Sequence, residues 1–467
     1  MHDTLLWAPR AWIAGRWLDS VLLRVDAGGH WSEITPGIAA PTDAHVLTGP
    51  VLPGLVDAHS HAFQRAFAGL AERRETDADD FWSWRDRMYG VASRITPEQL
   101  RIVAAQLYVE LLRGGYTQVC EFHYLHRAED GRAYDDPATL AWALADGAAD
   151  AGIGLTILPV LYERAGFTQA ALREDQRRFK GTPAFVHALQ AAVQSARRPL
   201  VNSGVAVHSL RAACASSIVE LLRRVGDDAL PVHIHVAEQL REVGDCVVAT
   251  GARPIEWLCR ELRLDARWQL VHATHATPAE IDAVAASGAG IVICPTTEAN
   301  LGDGLTDLPR WLAAGVPIAL GSDSQVSRSW VEELRWLEYG QRLARRERNV
   351  GASPVEGQPA TAARLFDKVL AADGRSAGMT RWGLVTGARA DALVLDTQAP
   401  GLVGVPASHA LDALVFATDA PAFRDVYVAG QRVVVDGAHL HEAIIAQRFS
   451  SVMTELWERS NKLSALG

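Results

Sequence analysis

The sequence has few of the features that mark secreted, membrane or nucleic-acid-binding proteins. Its five cysteines are an odd number without a Cys-x-x-Cys pair, so neither a disulfide framework nor a structural zinc knuckle is expected. No apolar run approaches the ~18 residues that a spanning helix needs. Lys and Arg number 45 against 55 Asp and Glu, and the net charge of −10 argues against a surface for nucleic acid or an anionic membrane.

The start of the chain, MHDTLLWAPR, lacks the basic segment and the apolar core of a signal peptide. Together with the cysteine usage, this predicts a cytoplasmic protein. No internal repeat or low-complexity tract is present, and 467 residues with 49% hydrophobic content are enough to bury a large core. Because the protein is acidic, an anionic substrate would have to be held in a local basic pocket.

From residue 51 onward, short apolar segments alternate with helical patterns. One unit begins at Thr96, which can cap a helix with Pro97 and Gln99, and ends at an apolar segment after Gly115. Eight such segments are continuously apolar, as parallel strands covered on both faces are: 51–56, 116–120, 154–160, 204–208, 232–236, 269–272, 290–294 and 317–320. Eight strand–helix units predict an α/β fold, a (β/α)₈ TIM-like barrel spanning residues 51–380.

Both ends of the chain depart from this pattern. They contain short β segments without helices between them, at 12–17, 21–25, 392–395, 426–428 and 431–435. These segments predict one small β-sandwich domain formed by residues 1–50 and 381–440, with the barrel inserted between the two parts. A last helix is expected within residues 441–467.

Histidines and a carboxylate follow several of the predicted barrel strands. His59 and His61 lie two residues apart on an extended segment and therefore point to the same side. His235 ends another strand, and Asp323 follows the last one. The carboxyl ends of barrel strands converge on one face, so these four residues are expected to be neighbours. Three imidazoles and one carboxylate suit a divalent ion such as Zn²⁺, which lowers the pKa of a bound water towards neutrality.

Four further residues lie close to these strand ends. Glu238, three residues after a metal-binding candidate, and His272, at the end of the next strand, are candidates for moving protons. His233 lies deeper in its strand and is expected to be a hydrogen-bonded core residue. His275 follows in a loop and is expected to cap a helix or to lie at the surface.

Longer motifs carry a resemblance to a known family. Residues 53–61, Pro-Gly-Leu-Val-Asp-Ala-His-Ser-His, the later His-x-x-Glu and Ser-Asp motifs, and residues 383–396 resemble the amidohydrolase superfamily. No lysine ends a middle strand where carbamylation could bridge two ions, which favours the mononuclear, deaminase-type branch. The resemblance implies a homodimer with one divalent ion per chain, zinc with iron(II) as the alternative. It assigns the ion to His59, His61, His235 and Asp323.

A narrower resemblance is to the N-formimino-L-glutamate deiminases within that superfamily. It rests on residues 59–72, on FWSWRDRMY at 81–89, and on the motifs at 207–211 and 235–239. It implies hydrolysis of N-formimino-L-glutamate to N-formyl-L-glutamate and ammonia, a step of histidine degradation. It assigns catalysis to Glu238, His272 and Asp323. It assigns contacts with this small acidic substrate to Gln64, Arg85, Tyr124, His208 and Arg211.

The physical chemistry of a dicarboxylate agrees with two of these assignments. An acidic protein must offer local cations to such a substrate, and Arg85 and Arg211 would supply planar, bidentate clamps. Arg85 is flanked in sequence by Trp82, Trp84 and Tyr89, an aromatic cluster that an exposed helix rarely carries. The segment is therefore expected to fold over the site, with an aromatic patch of the core as the alternative.

Other functions stay open at this point. A deaminase of a guanine- or cytosine-like ring would need apolar stacking and amide contacts rather than two arginines. A non-catalytic assembly scaffold would be expected to have lost metal ligands, yet all of them are present. A serine or cysteine hydrolase has little support, because the sequence has no Gly-x-Ser-x-Gly motif and Cys294 lies at a predicted strand end.

Overall fold

Two sheets organise the part of the chain that the computed structural model describes, residues 3–74, 79–226, 229–420 and 422–464. The strands are β1 (Thr4–Ile13), β2 (Arg16–Val25), β3 (Trp31–Thr35), β4 (His45–Val46), β5 (Val51–Leu52), β6 (Leu55–Ser60), β7 (Tyr116–His123), β8 (Gly154–Leu161), β9 (Val201–Ser203), β10 (Val205–Val207), β11 (Val232–Val236), β12 (Trp268–His272), β13 (Gly290–Ile293), β14 (Ile318–Leu320), β15 (Ala392–Leu395), β16 (Phe423–Val428), β17 (Gln431–Val435) and β18 (Ala438–His439).

The helices follow the barrel strands and close the chain. They are α1 (Phe81–Ala92), α2 (Pro97–Arg113), α3 (Thr139–Ala151), α4 (Pro183–Ala196), α5 (Ala215–Val225), α6 (Leu240–Thr250), α7 (Pro254–Glu261), α8 (Pro278–Ser287), α9 (Pro295–Leu301), α10 (Leu308–Ala313), α11 (Trp330–Arg345), α12 (Thr361–Ser376), α13 (Ala410–Ala417) and α14 (Glu442–Ser464). None of the helices in the described ranges is both long and apolar enough to span a membrane.

The first sheet is a parallel barrel, which confirms the predicted (β/α)₈ fold. Its strands follow the order β6-β7-β8-β10-β11-β12-β13-β14, and β9 also pairs with β8. The ends of this path meet where the Asp323 amide donates to the His59 carbonyl at 2.9 Å and the His61 amide donates to the Asp323 carbonyl at 3.3 Å. The barrel is therefore closed by the backbone of three candidate metal ligands.

Two of the predicted barrel segments differ from the structure in how their strands are divided. The segment predicted at 51–56 is divided at Pro53 and Gly54: β5 joins the second sheet, and β6 opens the barrel. Pro53 has no amide hydrogen to donate, and Gly54 packs so close to Thr117 that a Cβ would lie 2.3 Å from its hydroxyl oxygen. The segment predicted at 204–208 is preceded by β9, and Gly204 separates β9 from β10.

The second sheet joins both ends of the chain and confirms an accompanying β domain. Its order is β18-β17-β16-β15-β5-β1-β2-β3, with β4 paired to β1, and it carries a hydrophobic core of its own that includes the fully buried Trp31. The expectation that no helix interrupts the C-terminal β segments is wrong, because α13 lies between β15 and β16. Leu411, Leu414 and Val415 of this helix recur at helical spacing and are buried.

Candidate active site

Three imidazoles and a carboxylate converge at the carboxyl ends of β6, β11 and β14. His59 Nε2 and His61 Nε2 each lie 3.4 Å from Asp323 Oδ1, and His235 Nε2 lies 2.9 Å from His59 Nε2. Donor atoms bound at ~2.1 Å around a tetrahedral zinc ion are roughly 3.4 Å apart. His59, His61 and Asp323 therefore have ligand atoms close enough together, all within 4.8 Å, to bind one ion, and His235 adjoins this group through its contact with His59.

The protonation of these side chains also fits a metal site. His61 Nδ1 lies 3.2 Å from the Phe122 carbonyl oxygen, and His235 Nδ1 lies 3.0 Å from the His208 carbonyl oxygen. When each Nδ1 donates to its carbonyl, the lone pair of each Nε2 is directed at the candidate metal site. Burial lowers the pKa of His61 to about 3 and that of His235 well below its usual value, so both rings are neutral. These rings can donate electron pairs to a cation.

Asp323 supplies the negative charge of the cluster. Burial alone would raise its pKa, but contact with His59 and the other imidazoles outweighs burial and lowers the pKa below its usual range. The preceding residue, Ser322, donates from its amide and its hydroxyl to the buried carboxylate of Asp57, at 2.8 and 2.5 Å. Asp57 thereby holds the loop in which Asp323 adopts a φ of +49°, in the left-handed region that non-glycine residues rarely occupy.

Glu238 and His272 lie beside the metal cluster, as the sequence predicted. His272 Nε2 is 3.7 Å from Glu238 Oε1 and 3.8 Å from Asp323 Oδ2. Burial raises the pKa of Glu238 to about 7. Burial opposes protonation of His272, but the neighbouring carboxylates, Glu238 first, outweigh it and raise its pKa. A carboxyl group that titrates near neutrality next to an imidazole is suited to acid–base chemistry.

The five predicted substrate contacts line one pocket above this cluster, together with His61, His235, Glu238, His272 and Asp323. Within the pocket, the Gln64 amide donates to the Tyr124 hydroxyl at 3.3 Å. His208 is partly buried and lies beside the Tyr162 ring, with their centroids 4.4 Å apart. The predicted contact residues are thus brought together from four separate segments of the chain: Gln64, Arg85, Tyr124, and the loop that contains His208 and Arg211.

The aromatic segment around Arg85 is helix α1, and it covers the pocket. Asp80 caps this helix by accepting hydrogen bonds from the amides of Trp82 and Ser83. Five residues of α1 face the metal cluster from above: Phe81, Trp84, Arg85, Met88 and Tyr89. The sequence-based expectation that this segment folds over the site agrees with that arrangement.

Two guanidinium groups lie between the pocket and the outside. Arg85 and Arg211 lie 4.6 and 5.1 Å from the Trp82 ring, and both side chains are largely buried. The Nε atom of Arg85 is buried without a hydrogen-bond partner among the described residues. A buried, unpartnered donor on a cation is costly unless a ligand accepts from it, so the pair fits an acidic ligand.

Sequence reasoning did not find Glu298. Its Oε1 lies 3.3 Å from His272 Nδ1 and also accepts from the Cys294 amide at 3.0 Å. Glu298 lies in the first turn of α9, after β13. Pro295 in the sequence indicates where that helix begins but does not predict the contact with His272. His233 bonds to the Ser376 carbonyl at 2.9 Å in the core, as expected, and His275 is half-buried in the loop after β12.

Comparison with known proteins identifies the family of the chain. The model of the amidohydrolase family matches residues 51–433. The chain belongs to the amidohydrolase family. This amidohydrolase is 46% identical over 455 residues to a formimidoylglutamate deiminase of Pseudomonas aeruginosa, which covers 97% of the chain and 99% of that protein.

A further relative and a solved structure show how far the similarity extends. A 5-methylthioadenosine/S-adenosylhomocysteine deaminase of Desulfovibrio desulfuricans is 30% identical over 393 residues, 83% of this amidohydrolase and 80% of the relative. The crystal structure of an amidohydrolase from Brucella melitensis superposes with a TM-score of 0.92 at 39% identity, covering 97% of this chain and 100% of that one. The barrel and the terminal sheet are therefore shared with a solved structure over nearly their full length.

Proposed function

We propose that this amidohydrolase hydrolyses N-formimino-L-glutamate to N-formyl-L-glutamate and ammonia. The observation that carries the proposal is the position of Arg85 and Arg211, two largely buried cations at the pocket that His61, His235 and Asp323 also line. A dicarboxylate with a C=N group can place its carboxylates on the arginines and its reacting carbon towards the cluster. The 46% identity to a formimidoylglutamate deiminase over nearly the whole chain supports the same reaction.

In this proposal the ion is held by His59, His61, His235 and Asp323, and it is zinc, with iron(II) as the alternative. Three neutral imidazoles and one carboxylate are the donor set that these metals accept. When bound, a divalent ion lowers the pKa of water and so provides a nucleophile near neutral pH. Metal analysis of protein purified without added metal distinguishes zinc from iron.

The pocket residues bind and orient the substrate. Arg85 and Arg211 pair with the two carboxylates through planar, charge-assisted hydrogen bonds. Gln64, Tyr124 and His208 contribute polar atoms that fix the formimino end of the molecule. Helix α1 covers the bound substrate and keeps bulk water away from the reacting carbon.

Three residues then act on the water and the substrate. Asp323 Oδ2 takes up the proton lost by the attacking water, and the protonated His272, whose Nε2 lies 3.8 Å away, stabilises the charge on the attacking oxygen. The water oxygen bonds to the formimino carbon, and Glu238 delivers a proton to the terminal nitrogen. The proton on Asp323 passes to the same nitrogen, the carbon–nitrogen bond breaks, and ammonia leaves. The new hydroxyl gives its proton to Glu238, and its oxygen remains in the formyl group. The atoms balance with one water consumed per ammonia released.

A deaminase of a guanine- or cytosine-like ring is the alternative, and a substrate panel decides between them. We expect ammonia release from N-formimino-L-glutamate with a kcat/KM at least ~100-fold above the values for guanine and cytosine, because a neutral ring leaves two arginines unpaired. Comparable or faster turnover of either ring would overturn the proposal.

Other features expected from the sequence stay proposals. They are a homodimer, tested by light scattering of the purified protein, and a cytoplasmic location, tested by cell fractionation. The division into a barrel at 51–380, terminal β segments at 1–50 and 381–440, and a last helical segment at 441–467 is tested by limited proteolysis.

A further inference from the structure

The ring of Trp82 contacts a third arginine in addition to the two at the pocket. The guanidinium carbon of Arg241, near the start of α6, lies 4.8 Å from the ring centroid, compared with 4.6 Å for Arg85 and 5.1 Å for Arg211. Because all three face one ring, no two of these cations are more than about 10 Å apart, which is the screening length at 0.1 M salt. They therefore act as one positive group.

This group lines a second cavity of about 610 Å³ outside the substrate pocket. Arg85 and Arg211 line both spaces, so their guanidinium groups form the boundary between the outer cavity and the pocket. Four arginines and two aspartates line the outer cavity, which gives it an excess of two positive charges: Arg85, Arg173, Arg211, Arg241, Asp86 and Asp245. The whole protein carries a net charge of −10, so this excess is local.

The arginines of this cavity differ in how well they are neutralised. Arg173 pairs with Asp86 at 3.1 Å and also contacts Asp175. Among the described residues, the ion-pair partner of Arg241 is Asp245 alone, at 3.9 Å, the outer limit of an ion pair. Its charge is therefore available to a further anion.

Arg211 interacts with two buried carboxyl groups, Glu238 and Glu242. Burial raises the pKa of both, so they offset less of its charge than ionised carboxylates would.

The arginine side chains become less exposed to solvent from the outer cavity towards the substrate pocket. The side chain of Arg241 is 67% exposed, whereas that of Arg85 is 12% exposed. An anion arriving from solvent thus meets the exposed cation first and the buried pair second.

We propose that the cavity around Arg241 is an outer carboxylate-binding site that captures the dicarboxylate before Arg85 and Arg211 take it into the pocket. The proposal rests on the proposed function for the identity of the substrate. An acidic protein repels a dianion at long range, and a local positive excess at the mouth reverses that repulsion. A site of this kind raises the rate at which the substrate is captured and favours a substrate with two carboxylates over one with a single carboxylate.

The first test is kinetic, with Arg241→Ala and a matched control. Arg223 is 69% exposed and pairs with Glu220 at 2.9 Å, but it lies in the last turn of α5, at the opposite end of the barrel from the pocket. At ~0.01 M salt we expect Arg241→Ala to lower kcat/KM for N-formimino-L-glutamate about tenfold with kcat unchanged, and the loss to shrink at ~0.5 M salt. N-formimino-L-glutamine, with one carboxylate fewer, should lose less, and Arg223→Ala should match the wild type.

The second test measures binding and does not depend on turnover. Calorimetric titration with glutarate should give a Kd about tenfold weaker in Arg241→Ala than in the wild type or Arg223→Ala, with a smaller difference for the monoanion glutaramate. If wild-type protein releases no ammonia but shows this pattern, the proposed function fails and the outer site stands. If Arg241→Ala equals Arg223→Ala in kinetics and in glutarate binding, the outer site is overturned while the proposed function is untouched.

Discussion

Glu298 lies on one side of the His272 ring and Glu238 on the other. Glu298 Oε1 is 3.3 Å from Nδ1, and Glu238 Oε1 is 3.7 Å from Nε2. All three side chains are buried, and His272 adopts a φ of +69°. A carboxylate that accepts from Nδ1 fixes the rotation of the imidazole and directs its other nitrogen at Glu238 and Asp323.

Replacement of Glu298 should therefore reduce turnover without emptying the metal site. We expect Glu298→Ala to lower kcat roughly 10- to 100-fold with unchanged KM and metal content, because the imidazole loses the partner that orients it. Glu298→Gln keeps an oxygen that can accept from Nδ1 and should recover part of the loss. Steady-state kinetics with metal analysis on the same samples measures both effects. A wild-type kcat in Glu298→Ala would show that the contact is only structural.

Glu238→Gln tests proton delivery to the leaving nitrogen. The variant keeps the size of the side chain but cannot donate a carboxyl proton, so we expect turnover to fall roughly 10²-fold or more while the bound metal stays. Ammonia release and metal content are measured together. Activity near that of the wild type would reject the role assigned to Glu238.

Arg211→Ala tests recognition of the carboxylates. Removing one of the two buried guanidinium groups should raise KM for N-formimino-L-glutamate, with a smaller effect on kcat, since the charge-assisted bonds are made before the reaction. Dissociation constants for N-formyl-L-glutamate should weaken in parallel. If the variant changed only in metal content, Arg211 would not be a substrate contact.

The buried carboxyl group of Asp303 should make the stability of the folded protein depend on pH. Burial raises its pKa to about 9, and Oδ2 has no hydrogen-bond partner among the described residues. A carboxyl group whose pKa is higher in the folded than in the unfolded chain stabilises the fold while it is protonated. That contribution is lost as the pH rises from 3.8 towards about 9.

The variant Asp303→Asn removes this titration and keeps an acceptor for the Gln239 amide. In metal-free protein we expect the free energy of unfolding of the variant, relative to the wild type, to increase by more than about 1 kcal/mol between pH ~5 and pH ~8. Urea denaturation at the two pH values measures it. An equal difference at both values would show that Asp303 is ionised in the folded protein throughout this range.

The group of candidate metal ligands could be predicted from the sequence because its members follow barrel strands. His59 and His61 share one extended segment, and the convergence of strand ends brings His235 and Asp323 to them regardless of the packing of the helices. The same reasoning found Glu238 and His272. These residues depend on strand order and parity alone, which local patterns reveal.

Other features depend on contacts between distant segments. Glu298 becomes a partner of His272 only through the approach of α9 to β12, and Arg241 contacts Trp82 only because α1 packs across the mouth near α6. The separation of β5 from β6 follows from pairing with β15, far along the chain. No local pattern specifies these contacts, because each requires the three-dimensional arrangement of segments that are independent in sequence.

The central claim is that one ion, bound by His59, His61, His235 and Asp323, enables this chain to deiminate N-formimino-L-glutamate. The most direct measurement is ammonia release by protein stripped with a chelator and then titrated with zinc. We predict no activity in the stripped protein, a linear recovery that ends at one equivalent per chain, and no recovery in Asp323→Ala. Full activity after stripping, or recovery in Asp323→Ala equal to that of the wild type, would contradict the account.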